Sequence, residues 1–168
     1  MKIHLLIATL LVSVCFSCKK ILPGEHASLA FENNSTETVY VVGGILNKGL
    51  DDYSSNAVSI GLPKEKCEVA PNSINYDTAP IHGSGVAYSY ENVFSKAKTA
   101  DRCLVYVVPF YSTENIGGHK PLYDYKLVCY ELTLDDLVLL DYHLYYPPNE
   151  IMQNVKMDPP YESFADKY

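Results

Sequence analysis

The chain has 168 residues, a formal net charge of −7 from 13 basic and 20 acidic residues, and 15 tyrosines but no tryptophan. An acidic surface without a cluster of Lys and Arg repels phosphate groups, which excludes nucleic acid as a partner. Tyrosine and valine in short apolar runs, separated by Pro, Gly and Asn, favour strands over helices.

The first predicted element is an export signal at residues 1–17. Lys2 is followed by an uncharged apolar run from Leu5 to Val14. This run suits the core of a signal peptide and is too short to span a bilayer as a stable helix. We therefore predict that the segment exports the chain and is removed.

Cys18 is the predicted lipidation site. Ser17 supplies the small residue that a signal peptidase needs before the cut, and the Cys18 thiol can carry a lipid. Cys15 is the competing site, but the β-branched Val14 before it fits less well. The other interpretation is an ordinary secreted protein with incidental cysteines.

Two further segments follow the signal. Residues 18–27 are predicted to be the lipidated cysteine and a tether, because Pro23 and Gly24 lie in a stretch without alternation. Residues 28–168 are long enough for one β-rich domain with its own core. The polar stretch 147–168, which contains several prolines, is predicted to be an irregular tail.

Strands are predicted from apolar alternation between turn residues. The first two, at 28–32 and 38–42, are expected to form an opening hairpin around Asn33-Asn34-Ser35. The further predicted strands are 67–70 and 74–76, separated by the turn Pro71-Asn72-Ser73, then 103–108, 122–132 and 142–146. The run 103–108 is apolar on both faces, which indicates a central strand covered on both sides.

Two short helices complete the predicted fold, which is mainly β, an antiparallel β-sandwich-like domain. The helix at 90–97 has apolar residues at helical spacing. The helix at 134–140 follows Thr133, whose hydroxyl can cap it, with Asp135 and Asp136 in the positive first turn.

The signal region resembles the type II signal and lipobox of bacterial lipoproteins, with Cys15 and Phe16 where Leu and Ala or Ser are usual. That loosened form looks most like lipoproteins of the Bacteroidetes. The resemblance implies a multiply acylated Cys18 and an outer-membrane location. Lys19 and Lys20 stand where surface-exported relatives carry an acidic run, which implies a domain that faces the periplasm.

A second resemblance lies near the C-terminus. The run Tyr130-Glu131-Leu132-Thr133-Leu134-Asp135-Asp136-Leu137, followed by Tyr142-His143-Leu144-Tyr145-Tyr146-Pro147, is similar to a pattern of small uncharacterised Bacteroidetes lipoproteins. Phe31-Glu32-Asn33-Asn34-Ser35 and Ala70-Pro71-Asn72-Ser73 match that group too, while Tyr142 replaces its usual tryptophan. The group has no established activity, so the resemblance implies only export and a β-rich fold.

The sequence contains no coherent catalytic motif. The histidines lack the spacing of metal ligands, there is no Cys-x-x-Cys, and His82-Gly83-Ser84-Gly85 departs from the G-x-S-x-G nucleophile elbow. We therefore expect no enzyme activity, no metal and no cofactor. The alternative is a small envelope hydrolase in which a serine or Cys67 meets His82, His119 or His143 only in the folded protein.

A disulfide is possible within the domain. If strands 103–108 and 122–132 form a hairpin closed by Tyr111 opposite Pro121, Cys103 and Cys129 face each other across it. Cys67 is then free. Two packed thiols, or a register shifted by a bulge, are the alternatives.

Two surface features remain open. Asp77-Thr78-Ala79 resembles the short O-glycosylation acceptor of the Bacteroidetes, which makes Thr78 a possible site. The many tyrosines either pack in the core and sheets or form an exposed recognition surface. The favoured function is a non-enzymatic lipoprotein that binds an envelope protein or glycan.

Overall fold

The computed structural model describes residues 24–47, 67–80, 82–83, 86–87, 89–96, 100–109 and 126–165. The predicted signal peptide at 1–17 and the lipidation site Cys18 lie outside these residues.

The described elements are ten strands and three α-helices. The strands are β1 (Leu29–Asn33), β2 (Val39–Asn47), β3 (Glu68–Val69), β4 (Ser73–Thr78), β5 (His82–Gly83), β6 (Val86–Ala87), β7 (Ala100–Pro109), β8 (Val128–Leu132), β9 (His143–Tyr146) and β10 (Lys156–Asp158). The helices are α1 (Tyr90–Lys96), α2 (Leu134–Leu139) and α3 (Glu162–Ala165), with a 3₁₀ turn at Glu150–Met152.

Two sheets form the body of the fold. The larger sheet has the strand order β10-β8-β7-β2-β3, with all neighbours antiparallel. The smaller sheet has the order β4-β1-β9, and β1 runs antiparallel to β4 but parallel to β9. A two-stranded ribbon, β5-β6, stands apart. The predicted mainly β, sandwich-like class is confirmed, with one parallel pair among the antiparallel ones.

Strand β7 is the centre of the larger sheet. Every residue from Cys103 to Val108 is buried, whichever face its side chain takes. This confirms the prediction of a central strand covered on both sides. On one face, Val105 and Val107 join a core that includes Phe31 of β1 and Leu137 of α2.

The predicted opening hairpin is wrong, because β1 and β2 lie in different sheets. The reason is the side chain of Asn33, which is fully buried at the end of β1. Its amide nitrogen donates to the carbonyl oxygens of Glu37, Val69 and Ala70 at 2.8, 3.0 and 3.1 Å. The turn is therefore tied to β3 and crosses between the sheets.

Both predicted helices are confirmed, as α1 and α2. The start of α2 has the expected cap: the Thr133 hydroxyl accepts from the backbone N–H of Asp136, and the Thr133 N–H donates to the Asp136 carboxylate. This reciprocal capping box satisfies two N–H groups that an isolated helix end leaves unpaired.

The predicted irregular tail at 147–168 is wrong, because the 3₁₀ turn Glu150–Met152, β10 and α3 lie within it. Strand β10 pairs with β8, and α3 follows it. Met152, Val155 and Phe164 are buried in the core. These apolar residues are widely spaced in a polar stretch, so neither a helical nor a strand period was visible in the sequence.

The predicted register between β7 and β8 is also wrong. Cys129 lies opposite Tyr106, and Cys103 lies opposite Leu132. A register slip by an odd number of residues exchanges the faces of a strand. The real register places Tyr130 and Leu132 in the core, whereas the predicted one would place Glu131 there. The two thiols consequently take opposite faces, and Cys67, Cys103 and Cys129 are all free.

Candidate functional site

The outward side of the smaller sheet is the candidate site. On β1, Leu29, Phe31 and Asn33 are fully buried, so the alternate residues Ala30 and Glu32 point away from the core. The parallel register places Ala30 beside His143 and Glu32 beside Tyr145.

Strand β4 adds two apolar side chains to the same side. Ile74 pairs with Glu32 and is 41% exposed. Tyr76 is 72% exposed and stands next to an irregularity in the ladder between Leu29 and Phe31. Tyr76 is placed on the face of Ile74 because both are exposed, while Asn75 between them pairs with the buried Phe31. We call the resulting surface the outer face; it consists of Ala30, Glu32, Ile74, Tyr76, His143 and Tyr145.

The side chains of β1 and β9 support one another on the outer face. The rings of His143 and Tyr145 stack with centroids 4.5 Å apart and planes 11° from parallel. His143 Nε2 lies 3.4 Å from Glu32 Oε2, an electrostatic contact rather than a hydrogen bond, since this nitrogen has no hydrogen-bond partner among the described residues. Glu32 thus lies on the middle strand of the face, with Tyr145 beside it on β9 and Ile74 beside it on β4.

The free edge of β4 is less suited to binding than its face. The side chain of Asn75 accepts from the Asp77 N–H at 3.0 Å and donates to the Glu68 carbonyl at 3.0 Å. These hydrogen bonds, and the shift in the ladder between β1 and β4, leave fewer backbone groups of β4 available to pair with a strand from another molecule. On the outer face, Ile74 and Tyr76 are exposed and the other four side chains are partly buried.

A second cluster fastens the segment before β1 to α1. The His26 ring Nδ1 donates to the Glu91 carboxylate at 2.7 Å, and the His26 N–H donates to the same group at 2.9 Å. The Tyr90 N–H donates to the His26 carbonyl at 2.8 Å, and Asn92 donates to Glu25. The predicted tether 18–27 is therefore wrong at its end, where Glu25 and His26 belong to the folded domain.

This fastening cluster also binds Tyr142, just before β9. The rings of His26 and Tyr142 stack at 3.6 Å. Partial burial alone would raise the pKa of the Glu91 carboxyl, but hydrogen bonds from Tyr142 and from His26 lower it to about 2. Burial and the hydrogen bond to Glu91 raise the pKa of the Tyr142 hydroxyl above its ordinary value.

The described residues do not assemble the nucleophile and base of a hydrolase. The contacts of His143 are Tyr145 and Glu32, and His26 is held by Glu91 and Tyr142. Burial raises the pKa of the Cys67 thiol, which disfavours the reactive thiolate. The side chain of His82, and His119 altogether, lie outside what the structure describes.

Thr78 does not fit the predicted role of a glycosylation acceptor in the folded domain. The side chain is fully buried at the end of β4, and its hydroxyl donates to the Leu29 carbonyl at 2.8 Å. A sugar on this oxygen would break that bond and separate β4 from β1. The thiols are similarly enclosed: burial raises the pKa of Cys129 to about 12 and that of Cys103 further.

Comparison with protein-family models, with curated proteins and with solved structures gives no match for this chain. Within the described ranges there is no group of His, Cys, Asp and Glu side chains able to hold a metal ion. No helix in that part of the chain has the length and apolar character to cross a membrane.

The sequence predicted only part of the outer face. Of the tyrosines for which an exposed surface is the alternative to packing, Tyr145 lies on the outer face, and residues 123 and 125 lie outside the described ranges. Tyr146 instead packs edge-on against Phe164. The available signal was the alternation Ile74-x-Tyr76 in a strand whose other members are polar.

Proposed function

We propose that this chain is a lipoprotein of the cell envelope, anchored through Cys18, whose domain is a non-enzymatic binding module for an envelope protein or glycan. The observation that carries the binding proposal is the outer face. It presents an exposed tyrosine, a stacked His and Tyr pair and a central carboxylate on a rigid sheet.

The chemistry of this face supports binding rather than catalysis. Aromatic rings offer flat apolar surface, and a carboxylate accepts hydrogen bonds from hydroxyl or amide groups. Its members Ala30, Glu32, Ile74, Tyr76, His143 and Tyr145 include neither a serine nor a cysteine, the nucleophiles that the hydrolase alternative requires.

The anchor proposal rests on the signal pattern ending at Cys18. Mass spectrometry of the mature N-terminus is expected to find a lipidated Cys18 and no residue from 1–17. An unmodified N-terminal peptide starting between Cys15 and Lys20 would contradict it. We further propose that the domain faces the periplasm, in which case protease added to intact cells leaves it uncut.

The binding proposal is tested with the full chain held on a support in zwitterionic micelles that contain no sugar. Solubilised envelope from the source cells is passed over it. Retention of envelope material is expected to fall sharply for Tyr76→Ala. The control is Leu139→Ala on α2, which also truncates a strongly exposed apolar side chain, 71% exposed, away from the outer face. Equal retention by both variants would refute the proposal.

A further inference from the structure

We infer that the ligand of the outer face is a short neutral oligosaccharide. The inference rests on the proposed binding function and narrows it to one class of ligand. Three properties of the face carry it: its size, its charge and the arrangement of its rings.

The size of the face argues against a protein partner. Neighbouring strands lie about 4.8 Å apart and residues rise about 3.3 Å along a strand, so three strands four residues long cover roughly 10 Å by 13 Å. A stable protein interface buries about 800 Å² on each partner. The outer face offers a small part of that area, which matches a short chain of sugar rings.

The charge of the face argues against acidic ligands. Glu32 lies at its centre, and the histidine beside it already contacts the Glu32 carboxylate at 3.4 Å. The chain as a whole carries a net charge of −7. A phosphate, sulfate or uronate would be repelled by the Glu32 carboxylate and by the negative charge of the chain. A neutral sugar is not repelled.

The aromatic side chains of the face suit a sugar. Ala30 lies beside His143 of β9, and Tyr76 lies in the stretch of β4 where the ladder with β1 shifts between Leu29 and Phe31. Tyr76 is 72% exposed, so one face of its ring is open to a ligand. A pyranose has C–H groups that pack on a tyrosine ring and hydroxyls at its rim. The Glu32 carboxylate can accept from two adjacent hydroxyls.

The test is calorimetric titration of the full chain in the same sugar-free micelles. The probes are cellotriose, maltotriose, mannotriose and tri-N-acetylchitotriose, with sialyllactose as the acidic comparison. Saturable binding of at least one neutral trisaccharide is expected. Tyr76→Ala and the isosteric Glu32→Gln are each expected to weaken it by about tenfold, as for loss of one ring contact or one charged acceptor, while Leu139→Ala changes it less than about twofold. Circular dichroism of each variant checks that it is folded.

Three results would overturn the inference: no saturable heat with any neutral trisaccharide, binding that Tyr76→Ala leaves intact, or preference for sialyllactose. The broader binding proposal is separated from it by treating the solubilised envelope before capture. Retention could depend on Tyr76 and survive periodate oxidation of glycans, yet disappear after proteolysis. That result would support the binding proposal and contradict the inference that the ligand is a glycan. Loss after periodate alone supports both.

Discussion

Asn33 joins its own turn to a segment more than thirty residues later. Besides the three carbonyls that its amide nitrogen contacts, its side-chain oxygen accepts from the N–H and the hydroxyl of Ser35 at 3.1 and 2.7 Å. All of these groups lie where the chain passes between the two sheets. Because the side chain is fully buried, the loss of any donor leaves an interior carbonyl without a partner.

Replacing Asn33 with aspartate should therefore be costly. Asn33→Asp removes the amide donor and places a carboxylate against carbonyl oxygens, so we expect the free energy of unfolding to fall by about 2–4 kcal/mol near neutral pH. Urea unfolding followed by circular dichroism measures it. Asn34→Asp at the exposed next position is the matched control, with an expected change within about 0.5 kcal/mol. Similar losses in both variants would contradict the role given to Asn33.

Gly43 is required for the close approach of β2 to the end of β4. A Cβ placed on Gly43 would lie 2.7 Å from the Cβ of Ala79, a buried residue with φ of 43°. Ala79 cannot retreat easily, because its carbonyl accepts from the buried Tyr90 hydroxyl at 2.6 Å.

We expect Gly43→Ala to lower the free energy of unfolding by about 1–3 kcal/mol, the usual cost of overpacking a core. Thermal or urea unfolding measures the change. Gly24→Ala is a comparison of another kind: it has no neighbouring atom within 4 Å, but a φ of 84°. Its cost should come from backbone strain alone. A Gly43→Ala variant as stable as the natural chain would show that β2 and β4 can move apart.

At the scale of elements, the segment before β1 is an integral part of the fold. Glu91 in the first turn of α1 binds both the ring and the backbone of His26, and the His26 ring covers Tyr142. These contacts lower the pKa of Glu91 to about 2 from an ordinary 4.5.

This pKa shift predicts a pH dependence of stability. Between pH 4.5 and about 2 the unfolded chain binds a proton at Glu91 that the folded chain does not. The contribution of Glu91 to stability is therefore complete above about pH 4.5 and is lost as the pH falls towards 2. Glu91→Gln should reduce the dependence of stability on pH in this window, measured by urea unfolding at several pH values. Glu162→Gln, at an exposed glutamate of α3, should keep the natural profile.

The elements that the sequence predicted best are those with local causes. Strand β7 follows from an uninterrupted apolar run, and α2 from a threonine cap followed by two acidic residues. The pairing of strands could not be predicted in this way. The register of β7 with β8 depends on which face is buried, and the placement of β1 depends on Asn33 binding a segment found more than thirty residues later.

The candidate site was beyond sequence reasoning for a related reason. Its members come from β1, β4 and β9, and each strand contributes two side chains; the alternation Ile74-x-Tyr76 indicates exposure but no function. Glu32, Tyr76 and His143 become a constellation only when the order β4-β1-β9 is known. By contrast, the spacing of Cys103 and Cys129 suggested a hairpin register that is wrong. The register is set instead by the burial of Tyr130 and Leu132.

At the scale of the whole molecule, the C-terminal stretch completes the larger sheet. Strand β10 places Lys156 beside the buried Glu131, with Nζ 3.0 and 2.9 Å from the two carboxylate oxygens. Arg102 of β7 contacts the same carboxylate. Phe164 then adds an aromatic side chain to the core.

A chain ending at Asn154 is therefore expected to lose its cooperative fold. Removal of Phe164 costs about 3–5 kcal/mol, and the buried Glu131 carboxylate keeps only Arg102 of its two cations, which adds to the loss. Together these approach the total stability of about 5–15 kcal/mol for an ordinary domain. Circular dichroism and a urea titration test it. The control ends at Ala165 and should unfold like the natural chain; a stable fold for the chain ending at Asn154 would contradict the structural role of β10.

The parallel pairing of β1 with β9 has a consequence for the timing of folding. Synthesis delivers the N-terminus first, so Leu29–Asn33 emerges long before its neighbour His143–Tyr146, which follows roughly a hundred residues later. Until β9 is present, β1 can pair only with β4. The core around Leu29 and Phe31 is then incomplete. The outer face includes residues of both β1 and β9. It therefore forms only when almost the entire chain has been synthesised.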